Sequence, residues 1–162
     1  MKISNRRIYR FLSWLAVIVW MAVIFYLSSQ AQEESKRLSS TITINIAYTV
    51  EQINPNAMFN TARLNHIVRK NAHFISYLIL GILTMQAMRR SGVSWSKSIV
   101  YSMLLCVTYA ISDEWHQSFV PGRGPEVRDV GIDSVGAIVG IIIYVLGNKI
   151  RSTIAGLQEK SA

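Results

Sequence analysis

The chain has 162 residues, of which 51% are hydrophobic and only 16% are charged, and its formal net charge is +8. A soluble basic domain of this size would be more polar, and a nucleic-acid-binding protein would gather its lysines and arginines on one soluble face. Here the basic residues interrupt apolar runs, so we expect no nucleic-acid partner and predict a single membrane domain over residues 1–162.

Four apolar runs predict an all-α polytopic membrane protein with four transmembrane helices. They cover about residues 11–28, 70–89, 96–112 and 130–147, close to the roughly 20 residues needed to cross a bilayer. The first run also resembles a signal peptide, because a weak cleavage site follows it at Ser29-Gln30-Ala31. It is longer than a signal-peptide core, so we predict a retained span.

Two polar stretches, residues 29–68 and 113–129, are predicted to form loops on one side of the membrane. Residues 42–50 of the first stretch are apolar but too short to span, so reentrant or interfacial structure is expected there, and Asn54-Pro55-Asn56 predicts a turn. The helix of the second span should begin near Thr61. Gly92 predicts a short turn, and Pro121-Gly122-Arg123-Gly124-Pro125 a rigid double turn.

The distribution of charge predicts the orientation of the four spans. The side that holds both termini and the loop near Gly92 collects ten basic residues and one acidic residue, whereas the other side collects seven basic and eight acidic residues. Because basic residues accumulate on the cytoplasmic side, both termini should be cytoplasmic. The two polar stretches should then lie outside.

Three spans carry polar residues at helical spacing. One stripe contains His66, Arg69 or Lys70, His73, Tyr77 and Gly81; the second Ser102, Cys106, Tyr109, Asp113 and His116; the third Asp129, Asp133, Gly136 and Gly140. Residues three and four apart share one helix face, so each stripe should meet the others at the outer ends of the spans. The simplest explanation is packing, since Gly136 and Gly140 have the spacing that lets two helices approach closely.

The ionisable residues of these stripes admit three interpretations. His73 and His116 with nearby carboxylates could bind a metal, act as a general acid and base, or form buried ion pairs that only fix the helices. The segment Asp113-Glu114-Trp115-His116 lacks the His-Glu-x-x-His spacing of metalloproteases. We therefore assign no metal ligand and expect no cofactor.

Three basic residues could recognise an anion. Arg123 could donate a bidentate pair to a phosphate, or it could merely neutralise a neighbouring carboxylate. Arg69 and Lys70 could reach lipid headgroups without specificity. On the outer side, however, they run against the usual charge distribution, which favours a specific anionic partner.

Two segments resemble a known family. Arg69-Lys70-Asn71-Ala72-His73-Phe74-Ile75-Ser76-Tyr77, and Ser112 to Arg123 followed by Asp129, Asp133 and Gly136, are similar to VanZ-like integral membrane proteins over about residues 26–144. That family is named for a member linked to resistance to the glycopeptide teicoplanin. The resemblance implies a bacterial cell membrane and a lipid-linked phosphate or cell-wall precursor as the substrate class.

Our leading hypothesis is a cell-envelope protein that binds, and in one version also processes, an anionic lipid or lipid-linked precursor at its outer face. The rival is a structural or interaction protein in which the same residues form a closed ion-pair network, and a third hypothesis, a channel, would need a polar path to the cytoplasm. Unpaired basic groups beside an open pocket would favour the first. We assign catalytic roles to His73, Asp113 and His116, and ligand binding to Arg69, Lys70, Tyr77 and Arg123. The residues expected to orient these side chains are Glu114, Gln117, Asp129 and Asp133.

Overall fold

The computed structural model describes residues 2–53, 60–124 and 126–161. Over these ranges the chain forms helices and no strand, which confirms the all-α prediction. The five helices are α1 (Lys2–Ser28), α2 (Gln32–Ile53), α3 (Thr61–Arg90), α4 (Trp95–Gln117) and α5 (Val127–Ser161).

Three of the helices are long and apolar enough to cross a membrane. They correspond to Asn5–Ser28 in α1, Thr61–Arg90 in α3 and Val127–Gln158 in α5. Large apolar side chains remain exposed along α1 and α5. A bilayer would cover such surfaces, as expected for a membrane protein.

Helix α4, which contains the predicted third span, does not reach the same length and apolarity. Only fifteen residues separate Lys97 from Asp113, and Ser98 and Ser102 are among them. Fifteen helical residues rise about 22 Å, less than the roughly 30 Å of a hydrocarbon core. The fourth span therefore stays a prediction.

Helix α2 replaces the short interfacial element expected between the first two spans. Glu33 and Glu34 occupy its first turn, where acidic groups interact favourably with the helix dipole. Its buried side packs on α3 through Ser39 and Thr43, and the Ser39 hydroxyl donates to the Asn65 side-chain oxygen. Residues 42–50 are thus part of a 22-residue helix. The turn predicted at residues 54–56 lies outside the described residues.

Helix α3 is the centre of the bundle, and α5 is its principal neighbour. The backbones of α3 and α5 touch: a Cβ atom added at Gly136 or Gly140 would overlap the backbone of Phe74 or Leu78, and one added at Gly81 would overlap Ala137. The close approach predicted from the glycine spacing is confirmed. These two helices therefore hold their side chains in a fixed register.

Hydrogen bonds attach α1 to this core. The Trp20 indole donates to the Ser76 carbonyl at 2.8 Å, and the Tyr109 hydroxyl donates to the Met21 carbonyl at 2.6 Å. A turn with Gly92 at φ 83° joins α3 to α4, as predicted. The result is a bundle in which α4 ends, and α3 and α5 begin, at the same end, which we call the polar end.

Candidate functional site

The polar end brings together one titratable group from each of three helices. His73 of α3, Asp113 of α4 and Asp133 of α5 each offer a nitrogen or oxygen atom within 4.8 Å of the others. The His73 Nδ1 to Asp133 Oδ1 distance is 3.7 Å, longer than a hydrogen bond. We call these residues the triad. Its convergence follows from the spacing of the stripes and from the glycine contacts that set α5 against α3.

Both triad carboxylates are buried and incompletely hydrogen-bonded. Asp113 and Asp133 are each 2% exposed, and one oxygen of each has no hydrogen-bond partner among the described residues. The other Asp113 oxygen accepts from the Gln117 amide at 3.2 Å. The Tyr77 hydroxyl, also buried without a partner there, lies in the electrostatic field of both carboxylates. The buried Ser28 hydroxyl also interacts with Asp113. The triad therefore has more acceptor capacity than its neighbours satisfy.

Lys70 is neutralised by the start of α5. Its ammonium group binds Glu126 at 2.8 Å and also contacts the Asp129 carboxylate, with only 14% of the side chain exposed. These contacts hold the pKa of Glu126 below its ordinary value. Lys70 thus links α3 to the start of α5 through an ion pair.

Arg69 and Arg123 are not neutralised in this way. Neither forms an ion pair within the described part of the chain, and the Nε atom of Arg123 is buried without a hydrogen-bond partner there. Burial lowers the pKa of Arg123 from its ordinary value, and the positive charge of Arg69 lowers it further. The carboxylates of Asp113, Glu114 and Asp129 act on Arg123 in the opposite direction. None of them forms an ion pair with either arginine, so both guanidinium groups remain able to bind an added anion.

These arginines line a small polar cavity of about 50 Å³, which we call the arginine pocket. Gln117 also lines it, so the residue that binds Asp113 of the triad reaches the arginine pocket as well. The other lining residues are Gly124, Glu126 and Asp129, whose two carboxylates are engaged with Lys70.

A larger cavity opens between α2 and α3, and we call it the groove. Its volume is about 860 Å³, within the range of about 300 to 1,000 Å³ typical of ligand sites. Arg69 lines both the groove and the arginine pocket. The rest of the groove mixes basic, acidic, hydroxyl and apolar side chains, among them Lys36, Arg37, Glu33, Ser40, Ile44 and His66.

The connection between α4 and α5 is fixed by backbone contacts. The Glu114 carboxylate accepts from the Glu126 backbone N–H, and the Arg123 N–H donates to the Val120 carbonyl at 3.1 Å. Gly122 has φ 76°, a conformation that favours glycine. Pro125 lies outside the described residues. Glu114 therefore shapes the loop that carries Arg123.

The structure places His116 apart from the triad. Its ring lies against Phe25 of α1, with the ring centroids 4.3 Å apart, and its Nδ1 atom is buried. His116 lines neither the groove nor the arginine pocket. The sequence grouped both His116 and Asp133 with His73 and Asp113, and the structure brings only Asp133 within 4.8 Å of these two.

Helix α2 supplies residues that the sequence did not indicate. Lys36, Arg37, Ser40 and Thr43 line the groove, and their spacing of three and four residues was the available signal. That signal fell in a stretch expected to be mostly loop.

A family model described as VanZ/LLP1 matches residues 12–148. No curated protein and no solved structure matches the chain. The matched range contains all of the triad, the arginine pocket and the groove.

Proposed function

The chain belongs to the VanZ/LLP1 family, and from this premise we propose that it binds an anionic lipid or a lipid-linked phosphate at its polar end. The observation that carries the proposal is the position of Arg69 between the groove and the arginine pocket. A phosphate held by Arg69 and Arg123 would replace the counter-ion that both lack. The groove would take the adjoining part of the ligand.

The shape and lining of the groove support an amphipathic ligand. Lys36 adds positive charge to its wall, Arg37 lines it while paired with Glu34 at 3.5 Å, and Ile44 adds apolar surface. A headgroup needs the charged contact, and the first carbons of a lipid chain need the apolar one. Lys70 is already neutralised, so the proposal places the anion on the arginines and leaves Lys70 as a structural residue.

The rival hypothesis, a closed ion-pair network, accounts for only part of the polar end. It explains Lys70 with Glu126 and Asp129. It gives no role to Arg69 and Arg123, which lie beside open volume and form no ion pair with a described residue. The binding hypothesis explains both observations.

We further propose that α4 is a fourth span, with both termini in the cytoplasm of a bacterial cell and the polar end facing outward. The support is the charge asymmetry together with the packing of α1. Arg90 donates to the Ser13 hydroxyl and Trp14 donates to the Ser91 hydroxyl, both at 3.0 Å. These contacts hold the start of α1 beside the turn between α3 and α4, as four alternating spans require.

An outward polar end would meet lipid-linked precursors of the cell wall. This would connect the proposed site with the teicoplanin resistance to which the member that gives the VanZ family its name is linked. The step that we propose is binding of the lipid that carries the phosphate.

The test is lipid binding by the purified full-length chain in detergent, measured by native mass spectrometry with phosphatidylglycerol, a polyprenyl phosphate and neutral phosphatidylcholine. We expect adducts with the two phosphate ligands that carry net negative charge and few with phosphatidylcholine. Arg69→Gln and Arg123→Gln should each weaken these adducts by about tenfold or more, since a charge-assisted pair contributes about 1.5 to 3 kcal/mol. Arg128→Gln is the matched control, because Arg128 is exposed on α5 and lines neither cavity.

A steric variant tests the groove separately from its charge. Ser40→Trp would fill part of the groove and should weaken the same adducts, whereas Thr41→Trp, on an exposed position of α2 outside the groove, should leave them unchanged. Equal binding by the wild-type chain and the two arginine variants would contradict the proposal.

A further inference from the structure

The buried triad poses an electrostatic problem that its protein neighbours leave unsolved. Asp113 and Asp133 lie within a few ångströms of each other with 2% of each residue exposed. Lys70 of α3 is engaged by Glu126 and Asp129 instead, and the nearest basic group is the His73 ring, 3.7 Å from Asp133. One imidazole can neutralise only one of the two buried carboxylates, so the site calls for a further positive charge or for protons.

We propose that His73, Asp113 and Asp133 bind a divalent transition-metal ion of the Zn²⁺ or Mn²⁺ class. An imidazole with two carboxylates is a donor set that suits such ions. The proposal differs from the expectation drawn from the sequence, which assigned no metal ligand.

Geometry supports the assignment. The donors come from three helices and therefore surround a common point, and their atoms lie within 4.8 Å of one another. Bonds of about 2.0 to 2.2 Å place neighbouring donors roughly 3 Å apart, so the side chains would close by about 1 to 2 Å around an ion. The rigid contact between α3 and α5 brings His73 and Asp133 to this point with little freedom.

The unused buried acceptors are a second and independent observation. One oxygen of Asp113 and one of Asp133 have no hydrogen-bond partner among the described residues, and the nearby Tyr77 hydroxyl has none either. A bound cation would satisfy the two carboxylate oxygens. Gln117 already orients Asp113 through a bond of 3.2 Å, as residues behind a metal ligand commonly do.

The ion would lie close to the arginine pocket. Gln117 follows Asp113 by four residues on α4, a rise of about 6 Å, and Gln117 lines that pocket. Asp129 precedes Asp133 by the same interval on α5 and lines the pocket too. The metal would thus sit about one helical turn deeper than the proposed phosphate position, although its binding requires no lipid.

The experiment measures metal alone. The full-length chain, purified in detergent and stripped with a chelator, is dialysed against Zn²⁺ or Mn²⁺, and bound metal is determined by elemental mass spectrometry and titration calorimetry. We expect about one ion per chain. Asp133→Asn and Asp113→Asn should each lower the affinity by more than about a hundredfold, beyond the roughly 10- to 100-fold that is usual for a residue behind the ligands.

Glu51→Gln is the control for the loss of a carboxylate, because Glu51 is exposed on α2 and lines neither cavity. It should retain the ion, as should Arg69→Gln, so that a failure of lipid binding remains distinct from a failure of metal binding. Circular dichroism checks that each variant is folded, and His73→Gln replaces any aspartate variant that is not.

Three results would overturn the proposal. The first is that the wild-type chain binds no stoichiometric ion. The second is that the triad variants bind the ion as the wild type does. The third is that Glu51→Gln loses the ion to the same extent as the triad variants. The first would mean that protons neutralise the two buried carboxylates.

Discussion

The two sides of α3 differ in how closely they pack against the neighbouring helix. Toward α5, glycines bring the two backbones into contact, and Lys70 forms ion pairs with Glu126 and Asp129. Toward α2, the helices diverge around a groove of about 860 Å³, with Arg69 at its edge. Because successive residues of a helix point about 100° apart, the neighbouring bases Arg69 and Lys70 enter these different surroundings.

The difference shows how one helix can combine rigidity with an accessible site. In the contact with α5, Lys70 is buried together with its partners Glu126 and Asp129, so removing the cation should be destabilising. The surface toward α2 leaves Arg69 without an acidic partner among the described residues, which lowers stability but provides affinity for an anion. Variants on the two sides should therefore affect different measurements.

The largest effect is expected where α3 and α5 touch. Gly140→Ala would place a methyl group on the Leu78 backbone, and overpacking of this kind costs about 1 to 3 kcal/mol or more. Gly147→Ala, on the same helix with no neighbouring atom within 4 Å of the added Cβ, should be neutral or slightly stabilising. Unfolding in mixed micelles measures both. Similar stability of the two variants would contradict the close contact.

The next effect separates the two adjacent bases. Lys70→Gln leaves the Glu126 and Asp129 carboxylates without their cation, and we expect the free energy of unfolding to fall by about 1 to 3 kcal/mol. Arg69→Gln should change it by less than about 0.5 kcal/mol, because it removes no ion pair with a described residue.

Lipid binding should show the reverse order. Arg69→Gln should reduce the phosphate-lipid adducts, and Lys70→Gln should retain them as long as the chain is folded. If both substitutions reduced stability equally and left binding intact, the polar end would be the closed network of the rival hypothesis.

Much of this arrangement was accessible from the sequence because it depends on helical spacing. The stripes predicted that His73, Asp113 and Asp133 lie on facing sides of three helices, and the structure brings them within 4.8 Å. Gly136 and Gly140 likewise predicted the contact between α3 and α5. Both features follow from residues that recur every three or four positions on long apolar helices.

The remaining features depend on contacts between segments far apart in the chain. Helix α2 is polar, so its sequence resembled a loop, and its wall of the groove exists only because it packs on α3. Arg69 and Lys70 differ in their ion pairs because of where α5 begins. Its start pairs Glu126 and Asp129 with Lys70 and not with Arg69. Spacing alone also could not show that the His116 ring packs on Phe25 of α1.

The smallest effect concerns the pH dependence of the ion pair between Lys70 and Glu126. The pKa of Glu126 is held below its ordinary value of 4.5, chiefly by the hydrogen bond and charge of Lys70. Folding therefore favours the ionised form, and its contribution to stability is present above pH 4.5 and is lost as the pH falls through the lower, folded pKa. The Glu126 side chain is 56% exposed, so the contribution should be small.

Unfolding of the wild-type chain and of Glu126→Gln, measured from neutral pH down to about pH 3, isolates this contribution. The wild type should be the more stable at neutral pH, and the difference should narrow only below pH 4.5. Glu51→Gln is the control, because Glu51 is exposed on α2 and forms no ion pair with a described residue; its stability difference should not change with pH. If the stability difference for Glu126→Gln did not change with pH, Lys70 would link α3 to α5 through Asp129 alone.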